Sequence, residues 1–332
     1  MLFVNEKYTP IHKIINETKV TDEDKVYEAD NSWGEKFESI ICDAMNNKGK
    51  LPKGGSAYAS DIEANMTATP EEVYANVYNS LKTKLKGFGE LHKLANSDVE
   101  VSDEWRELGM YDEFKATPNK TPKTDIISGN SKYKISIKSG IGARLMSGAI
   151  CETIATLRAA AEGEYKKLFD DLFTDLLSSG AKTRARIHGS TSAILKKLKG
   201  KDQSDDEDEN AILRINAVKS KLDEVMKKAE GKLRENILME ATTGDVKFGK
   251  GDGAANYVLI WNPNDGTCEL YNAKDYVDKF GSHYAIRTAY KSSSVKLRDP
   301  ETGEEYKTGD YDTWMVLSIV DTTPAPKTKK SK

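Results

Sequence analysis

PKTDIISGNSKYKISIKSGIGARLMSGAICE, residues 122–152, is the stretch that decides the fold. Asp125 precedes the apolar pair that begins a first β-strand, and Ser136-Ile137-Lys138 ends a second in which isoleucine alternates with polar residues. Alternating β-branched residues bounded by turn residues predict strands, and the Ser-Gly-Asn of residues 128–130 predicts a hairpin turn between them. The small residues around Glu152 then predict a helix that packs closely on the sheet.

This order of side chains favours metal-assisted chemistry on a phosphodiester. Asp125 and Glu152 offer carboxylate oxygens, and Mg²⁺ binds through one or two carboxylates while water and substrate phosphate complete its shell. Lys138, between them in sequence, is placed to steady an attacking water or the charge that develops on phosphorus. A salt bridge between Asp125 and Lys138 near a strand end is the simpler interpretation of the same residues.

The stretch resembles the PD-(D/E)XK nuclease family. Pro122-Lys123-Thr124-Asp125 matches the first half of its motif, and Ser136-Ile137-Lys138 matches the second half with serine in place of the second carboxylate. Some restriction enzymes of this superfamily share the Ser-x-Lys ending and take the missing carboxylate from a glutamate on the following helix, fourteen residues after the lysine. Glu152 stands at that spacing from Lys138. The resemblance extends over residues 33–161.

The resemblance implies a restriction-endonuclease-like core and a Mg²⁺-dependent endonuclease that hydrolyses DNA, with Mn²⁺ as a substitute ion. Asp125 and Glu152 would then hold the metal, Lys138 would position water, and Ser136 would support them by hydrogen bonding. In this superfamily a helix before the sheet often offers a further carboxylate, which here is Glu35 or Glu38. The ordinary alternatives are helix capping for Glu35 and a solvated helix face for Glu38.

Composition limits the remaining choices. The net charge of −3 gives no overall attraction to nucleic acid, so DNA binding would need a local basic face. No run of about 18 apolar residues occurs, and the N-terminus lacks a secretory pattern. The three cysteines are scattered, which disfavours a disulfide framework or zinc site. These features predict a cytoplasmic protein without a membrane segment.

Basic side chains near the motif and in the segment that follows the next helices are candidates for contacts with DNA phosphates. A solvated loop is the alternative for the last three of them. The candidates are Lys123, Arg144, Lys182, Arg184 and Arg186.

Beyond the motif, capping signals at Ser32 and at Thr69-Pro70 predict two helices before the sheet. Apolar spacing from residue 142 to 238 predicts helices throughout, with a basic break near residue 182 and an acidic helix start or disordered tip at 205–209. Period-two patterns predict strands from Tyr257 onward.

The expected fold is α/β (α+β), with a mixed-sheet core, a long helical insertion and a β-rich C-terminal part. That part either extends the core sheet or forms its own module. The expected divisions are an N-terminal arm (1–31), a nuclease-like core (32–161), a helical insertion (162–240), a β-rich region (241–322) and a disordered basic tail (323–332).

Short segments also resemble parts of tailed-phage proteins. That resemblance leaves open a non-catalytic virion or assembly protein that retains a nuclease-like fold. A protein-interaction module built on the charged helices is the other alternative. The expected partners are DNA, a second copy of the chain and virion proteins, in the host cytoplasm or the virion.

Overall fold

The computed structural model describes residues 32–139, 144–178, 184–201, 203–229, 231–300 and 302–322. Within these ranges helices and strands mix along the chain, which confirms the α/β (α+β) class. The predicted N-terminal arm and basic tail lie outside the described residues.

Eleven α-helices are formed by the described residues. They are α1 (Ser32–Asn46), α2 (Ala59–Asn65), α3 (Pro70–Leu81), α4 (Asp103–Leu108), α5 (Ile150–Ala160), α6 (Glu164–Ser178), α7 (Thr191–Lys197), α8 (Glu207–Lys228), α9 (Lys232–Thr243), α10 (Asp245–Phe248) and α11 (Ala273–Phe280).

Nine strands of the described chain form two sheets. They are β1 (Leu91–Lys93), β2 (Ile126–Ser128), β3 (Lys134–Ser139), β4 (Arg144–Gly148), β5 (Ala185–His188), β6 (Tyr257–Trp261), β7 (Cys268–Asn272), β8 (Tyr284–Arg298) and β9 (Glu305–Asp321).

The first sheet has the order β1-β2-β3-β6-β7 and is mixed. The predicted hairpin is confirmed, because β2 and β3 pair antiparallel with Ile126 opposite Ile135. β3 and β6 run parallel, with Lys138 beside Ile260. The C-terminal strands β6 and β7 therefore extend the sheet that carries the motif.

The second sheet is built around the long strand β9. β8 pairs along one edge of β9, while β4 and β5 pair with successive segments of the other edge. The C-terminal region thus both extends the first sheet and contributes the main strands of a second one.

The helical prediction for residues 142–178 is wrong at its start, because Arg144–Gly148 form β4. Gly148 is a weak helix former and pairs with Leu317, a partner about 170 residues away that local spacing cannot reveal. Ala185–His188 likewise forms β5 on β9 rather than a loop or helix. Both errors arise where a distant strand edge overrides local preference.

Other signals in the sequence are confirmed. Thr69 caps α3 with a capping box to Glu72 and with Pro70 at the first helical position. The acidic run provides the start of α8, where the side chain of Asp206 accepts the backbone N–H groups of Asp208 and Glu209. Carboxylates are favourable there because they offset the positive end of the helix dipole.

Both faces of the first sheet are covered. On one face α1 and α3 pack against it, and the ring of Phe37 stacks on Trp261 at 4.0 Å between centroids. On the other face Val258 joins a larger core formed by α5, α6, α8, α9 and the second sheet. Polar groups are left at one end of the sheet, where β1, β3 and β6 finish and β2 begins.

Candidate active site

A cavity of about 980 Å³ lies at this end of the first sheet. It is lined by α1, by the ends of β1 and β3, by the approach to β2, and by residues of β4, α5, α9 and α10. The predicted site residues that line it are Glu35, Glu38, Lys123, Asp125, Ser136, Lys138, Arg144 and Glu152. One cavity therefore collects residues that are up to about 120 positions apart in the chain.

Strand β3 directs two of these side chains to the cavity. Alternation along a strand sends Ser136 and Lys138 to one face, while Ile135 packs in the core on the other. Ser136 is buried and Lys138 is partly exposed. The ammonium group of Lys138 makes no hydrogen bond or salt bridge to the residues that the structure describes, so its donors face the cavity.

Asp125 is held against the backbone of β3. Its Oδ2 accepts the N–H of Ile137 at 2.5 Å and the hydroxyl of Ser136 at 3.4 Å. Burial raises the pKa of Asp125, and the charge of Lys138 opposes that rise. Ser136 thus sits beside Asp125 as a hydrogen-bond donor, in the place where the family motif has a second carboxylate.

Glu38 brings a second carboxylate from α1. It forms a salt bridge with Lys93 at 2.9 Å. Burial, followed by the charge of Asp125, raises the pKa of Glu38 to about 7. The charge of Asp125 therefore acts directly on Glu38, whereas Glu35 lies one turn earlier on α1 and is exposed.

Glu152 lies in the first turn of α5, as the sequence predicts. Its Oε1 receives the ammonium group of Lys247 at 2.8 Å, and the two side chains are only 13% and 7% exposed. Gly148 lets the end of β4 lie close to this side chain, because a Cβ there would lie 2.9 Å from the Cβ of Glu152. The carboxylate expected to bind metal is thus already paired with a lysine.

Two further charged groups lie beside this ion pair. Glu240, at the end of α9, accepts the backbone N–H groups of Val246 and Lys247 at 2.9 and 3.1 Å, and burial raises its pKa to about 7. Lys123 donates to the carbonyl of Leu145 at 3.0 Å. Burial, together with the charges of Lys247 and then Lys138, lowers the pKa of Lys123 to about 8.

Sequence reasoning missed Lys93, Glu240 and Lys247. Lys93 ends a strand of only three residues, and Lys247 belongs to a helix of only four, so neither element has a clear periodic signal. Glu240 ends the apolar pattern of α9 and reads from sequence as an ordinary helix end. The only local hint in the sequence is that Glu240 is a charged residue among the small and apolar residues near the end of α9.

The more distant basic candidates lie elsewhere. Arg184 stacks over the ring of Trp314 at 4.7 Å, and Arg186 forms a salt bridge with Asp312 at 2.9 Å. Both are exposed on the second sheet and neither lines the cavity. Lys182 lies outside the described residues, and contacts of all three with DNA stay a prediction.

The oxygen donors of the cavity fit a two-carboxylate metal site better than a three-carboxylate one. Within the described ranges, no group of three or more His, Cys, Asp or Glu side chains is arranged to hold a metal ion. The charge of Asp125 acts on Glu38. Glu38 and Glu152 are each paired with a lysine, but Lys93 is 42% exposed and Lys247 only 7%, so the Glu38 pair is the more easily opened. A pair suffices for Mg²⁺ when water and a substrate phosphate supply the other oxygens.

No protein-family model, curated protein or solved structure matches this chain significantly. None of the helices that the structure describes has the length and apolar character needed to cross a membrane.

Proposed function

We propose that the chain is a Mg²⁺-dependent endonuclease that hydrolyses DNA phosphodiester bonds, a variant of the PD-(D/E)XK nucleases. The observation that supports this most is the convergence of Glu38, Asp125 and Lys138 in one cavity. These residues come from α1, from the approach to β2 and from β3. The sequence motif singled out Asp125 and Lys138 independently of their positions in space, and Glu38 was one of two candidates for a further carboxylate.

In this proposal Glu38 and Asp125 hold the ion. Bound Mg²⁺ would supply a Lewis acid and a more acidic water, and Mn²⁺ would serve in its place. The hydrogen bonds from Ile137 and Ser136 fix one oxygen of Asp125 and leave the other oxygen for the ion. Burial, followed by the charge of Asp125, raises the pKa of Glu38, and a cation beside both carboxylates would offset the second of these causes.

Lys138 has the second role. Its ammonium donors reach the cavity without an acceptor among the described residues, so they would orient water and stabilise negative charge that grows on the phosphate oxygens. Groups of this kind help most when they are fixed before the reaction in a partly desolvated site. The neighbouring strand β6, in which Ile260 lies beside Lys138, fixes the backbone of Lys138 in this way.

Glu152 departs from the pattern that the resemblance implies. We assign it the role of a counter-ion because its partner Lys247 is buried, whereas Lys93, the partner of Glu38, is 42% exposed and leaves Glu38 the more available second carboxylate. The ion pair between Glu152 and Lys247 is the observation that favours the alternative, a non-catalytic virion or assembly protein, because it ties up one of the expected ligands. Metal-dependent cleavage separates this alternative, and that of a protein-interaction module, from the nuclease.

The test is cleavage of supercoiled and linear DNA in Mg²⁺, in Mn²⁺ and in EDTA, by the wild type and by Asp125→Asn. This substitution preserves the size of the side chain and an oxygen for the Ile137 N–H. Cleavage by the wild type that requires the metal and is lost in Asp125→Asn would support the nuclease. A folded wild type that cuts in neither metal would favour the structural alternative.

A further inference from the structure

Three lysines of the cavity come from different parts of the chain. Lys123 precedes β2, Lys138 ends β3, and Lys247 lies in α10, and all three line the cavity together with Glu152 and Glu240. Lysines are rarely placed together in a partly buried position, because their charges repel and each loses hydration. Such a cluster is costly in the free protein unless an anion joins it.

The protein contacts of these lysines leave donors unused. An ammonium group has three N–H donors. Lys123 uses one on the carbonyl of Leu145, Lys247 uses one on Glu152, and Lys138 uses none on the described residues. The remaining donors need several acceptor oxygens at one place, which a tetrahedral phosphate provides.

The charged groups around the three lysines also favour the binding of an anion. Glu152 offsets one lysine. The carboxylate of Glu240 is directed to the backbone N–H groups of Val246 and Lys247 rather than to an ammonium group. Burial is the main cause of the lowered pKa of Lys123, and the charges of Lys247 and Lys138, which lower it further, precede the opposing effects of Glu152 and Glu240.

We propose that Lys123, Lys138 and Lys247 form a phosphate-binding subsite for the backbone of a nucleic acid beside the Glu38–Asp125 pair. This inference rests on the proposed function for the identity of the ligand. A phosphate held there would lie beside the carboxylate pair, and its remaining oxygens would be available to an ion that the pair holds. Lys247 then has two roles, since it neutralises Glu152 and contacts the substrate.

The ion pair between Glu152 and Lys247 allows a test in which the direction of each change in anion affinity is predicted. Glu152→Gln removes the counter-ion and leaves Lys247 in place, so it should tighten binding of an anion. Glu152→Gln/Lys247→Met removes both charges and should weaken it. If Lys247 were only a structural counter-ion, these two variants would bind like the wild type.

The experiment measures fluorescence anisotropy of a short labelled single-stranded oligodeoxynucleotide in EDTA, over a range of salt concentrations. The double variant and Lys138→Met should each bind more weakly and lower the salt slope by about 0.7 to 1, as expected for loss of one phosphate contact. Lys196→Met, an exposed lysine of α7 away from the cavity, is the matched control and should leave both quantities unchanged.

Equal affinities and slopes for the wild type, Glu152→Gln, the double variant and Lys138→Met would overturn the subsite. Because Lys138→Met disturbs no ion pair, its result does not depend on how well the Glu152 variants fold. The expected binding pattern together with an absence of cleavage in Mg²⁺ would support the subsite and refute the nuclease, so the two proposals fail separately.

Discussion

The two sides of the cavity use charge differently. In the sheet-side group (Glu38, Asp125 and Lys138) the charge of Asp125 acts on Glu38, whose partner Lys93 is 42% exposed. The ammonium group of Lys138 makes no hydrogen bond or salt bridge to the described residues. The helix-side group (Glu152, Lys247, Glu240 and Lys123) satisfies its carboxylates with an ammonium group and backbone N–H groups. Charged groups that are paired within the protein stabilise the fold. Like charges held close together, or charges without a protein partner, favour the binding of an external ion or substrate. The contrast assigns chemistry to the first group and support to the second.

The largest effect expected from this contrast concerns Lys138. Lys138→Met should lower the rate of metal-dependent DNA cleavage by about 10²- to 10³-fold, since a fixed donor to developing charge is lost. Thermal stability should stay near that of the wild type, because this ammonium group makes no hydrogen bond or salt bridge to the described residues. Cleavage kinetics and a melting curve on the same preparation measure both.

A matched control lies on the same strand. Lys134 points to the same face of β3, but its ammonium group donates to the carbonyl of Gly251 at 2.9 Å, and it does not line the cavity. Lys134→Met should cleave like the wild type. Equal losses of rate in the two variants would mean that replacement of any lysine on this face of β3 impairs cleavage. The contrast between the two sides of the cavity would then fail.

A smaller effect, on stability, is expected on the helix side. Lys247→Met leaves the carboxylate of Glu152 buried and unpaired, which should lower the free energy of unfolding by about 3 kcal/mol. Adding Glu152→Gln should restore most of that loss, because the unpaired charge is gone. Urea denaturation of the single and double variants measures the difference.

An exposed pair provides the comparison for this result. Arg186 and Asp312 form a salt bridge with side chains 58% and 30% exposed, and exposed pairs contribute little. Arg186→Met should therefore change unfolding far less than Lys247→Met. Similar losses from the two variants would contradict a special supporting role for the buried pair.

The smallest predicted effect is the pH dependence caused by Glu38. Its pKa is raised from 4.5 to about 7 in the folded protein, so the folded state keeps a proton that the unfolded chain has lost. The free energy of unfolding should consequently fall as pH rises from about 4.5 to about 7, and level off outside that interval. The raised pKa of Glu240 acts in the same direction.

Glu38→Gln should make this fall shallower, because only the contribution of Glu240 remains of the two. The measurement is urea denaturation at several pH values in EDTA, with Glu35→Gln as the control from the exposed face of the same helix. Identical pH slopes for the wild type and Glu38→Gln would show that folding does not raise the pKa of Glu38.

The sequence pattern predicted those parts of the site that depend on interactions between residues close together in the chain. The β2–β3 hairpin, the capped helix α3 and the helical position of Glu152 follow from alternation, turn residues and capping. The side of β3 that carries Ser136 and Lys138 follows from the period of two.

What the sequence could not predict depends on distant partners. The pairing of β4 with β9 and the ion pair between Glu152 and Lys247 join segments about 95 to 170 residues apart, and no local spacing encodes them. For that reason the sequence does not reveal that Glu152 is paired with Lys247. The difference in exposure between Glu35 and Glu38 likewise depends on the packing of α1 on the sheet.

The most direct test of this division is Mn²⁺ binding, followed by electron paramagnetic resonance, for the wild type, Glu38→Gln, Asp125→Asn and Glu152→Gln. Binding that is lost in the first two variants and retained in Glu152→Gln is the predicted result, because the sheet-side carboxylates hold the ion. Loss of binding in Glu152→Gln with retention in Glu38→Gln would contradict the assignment and return the metal to the helix side.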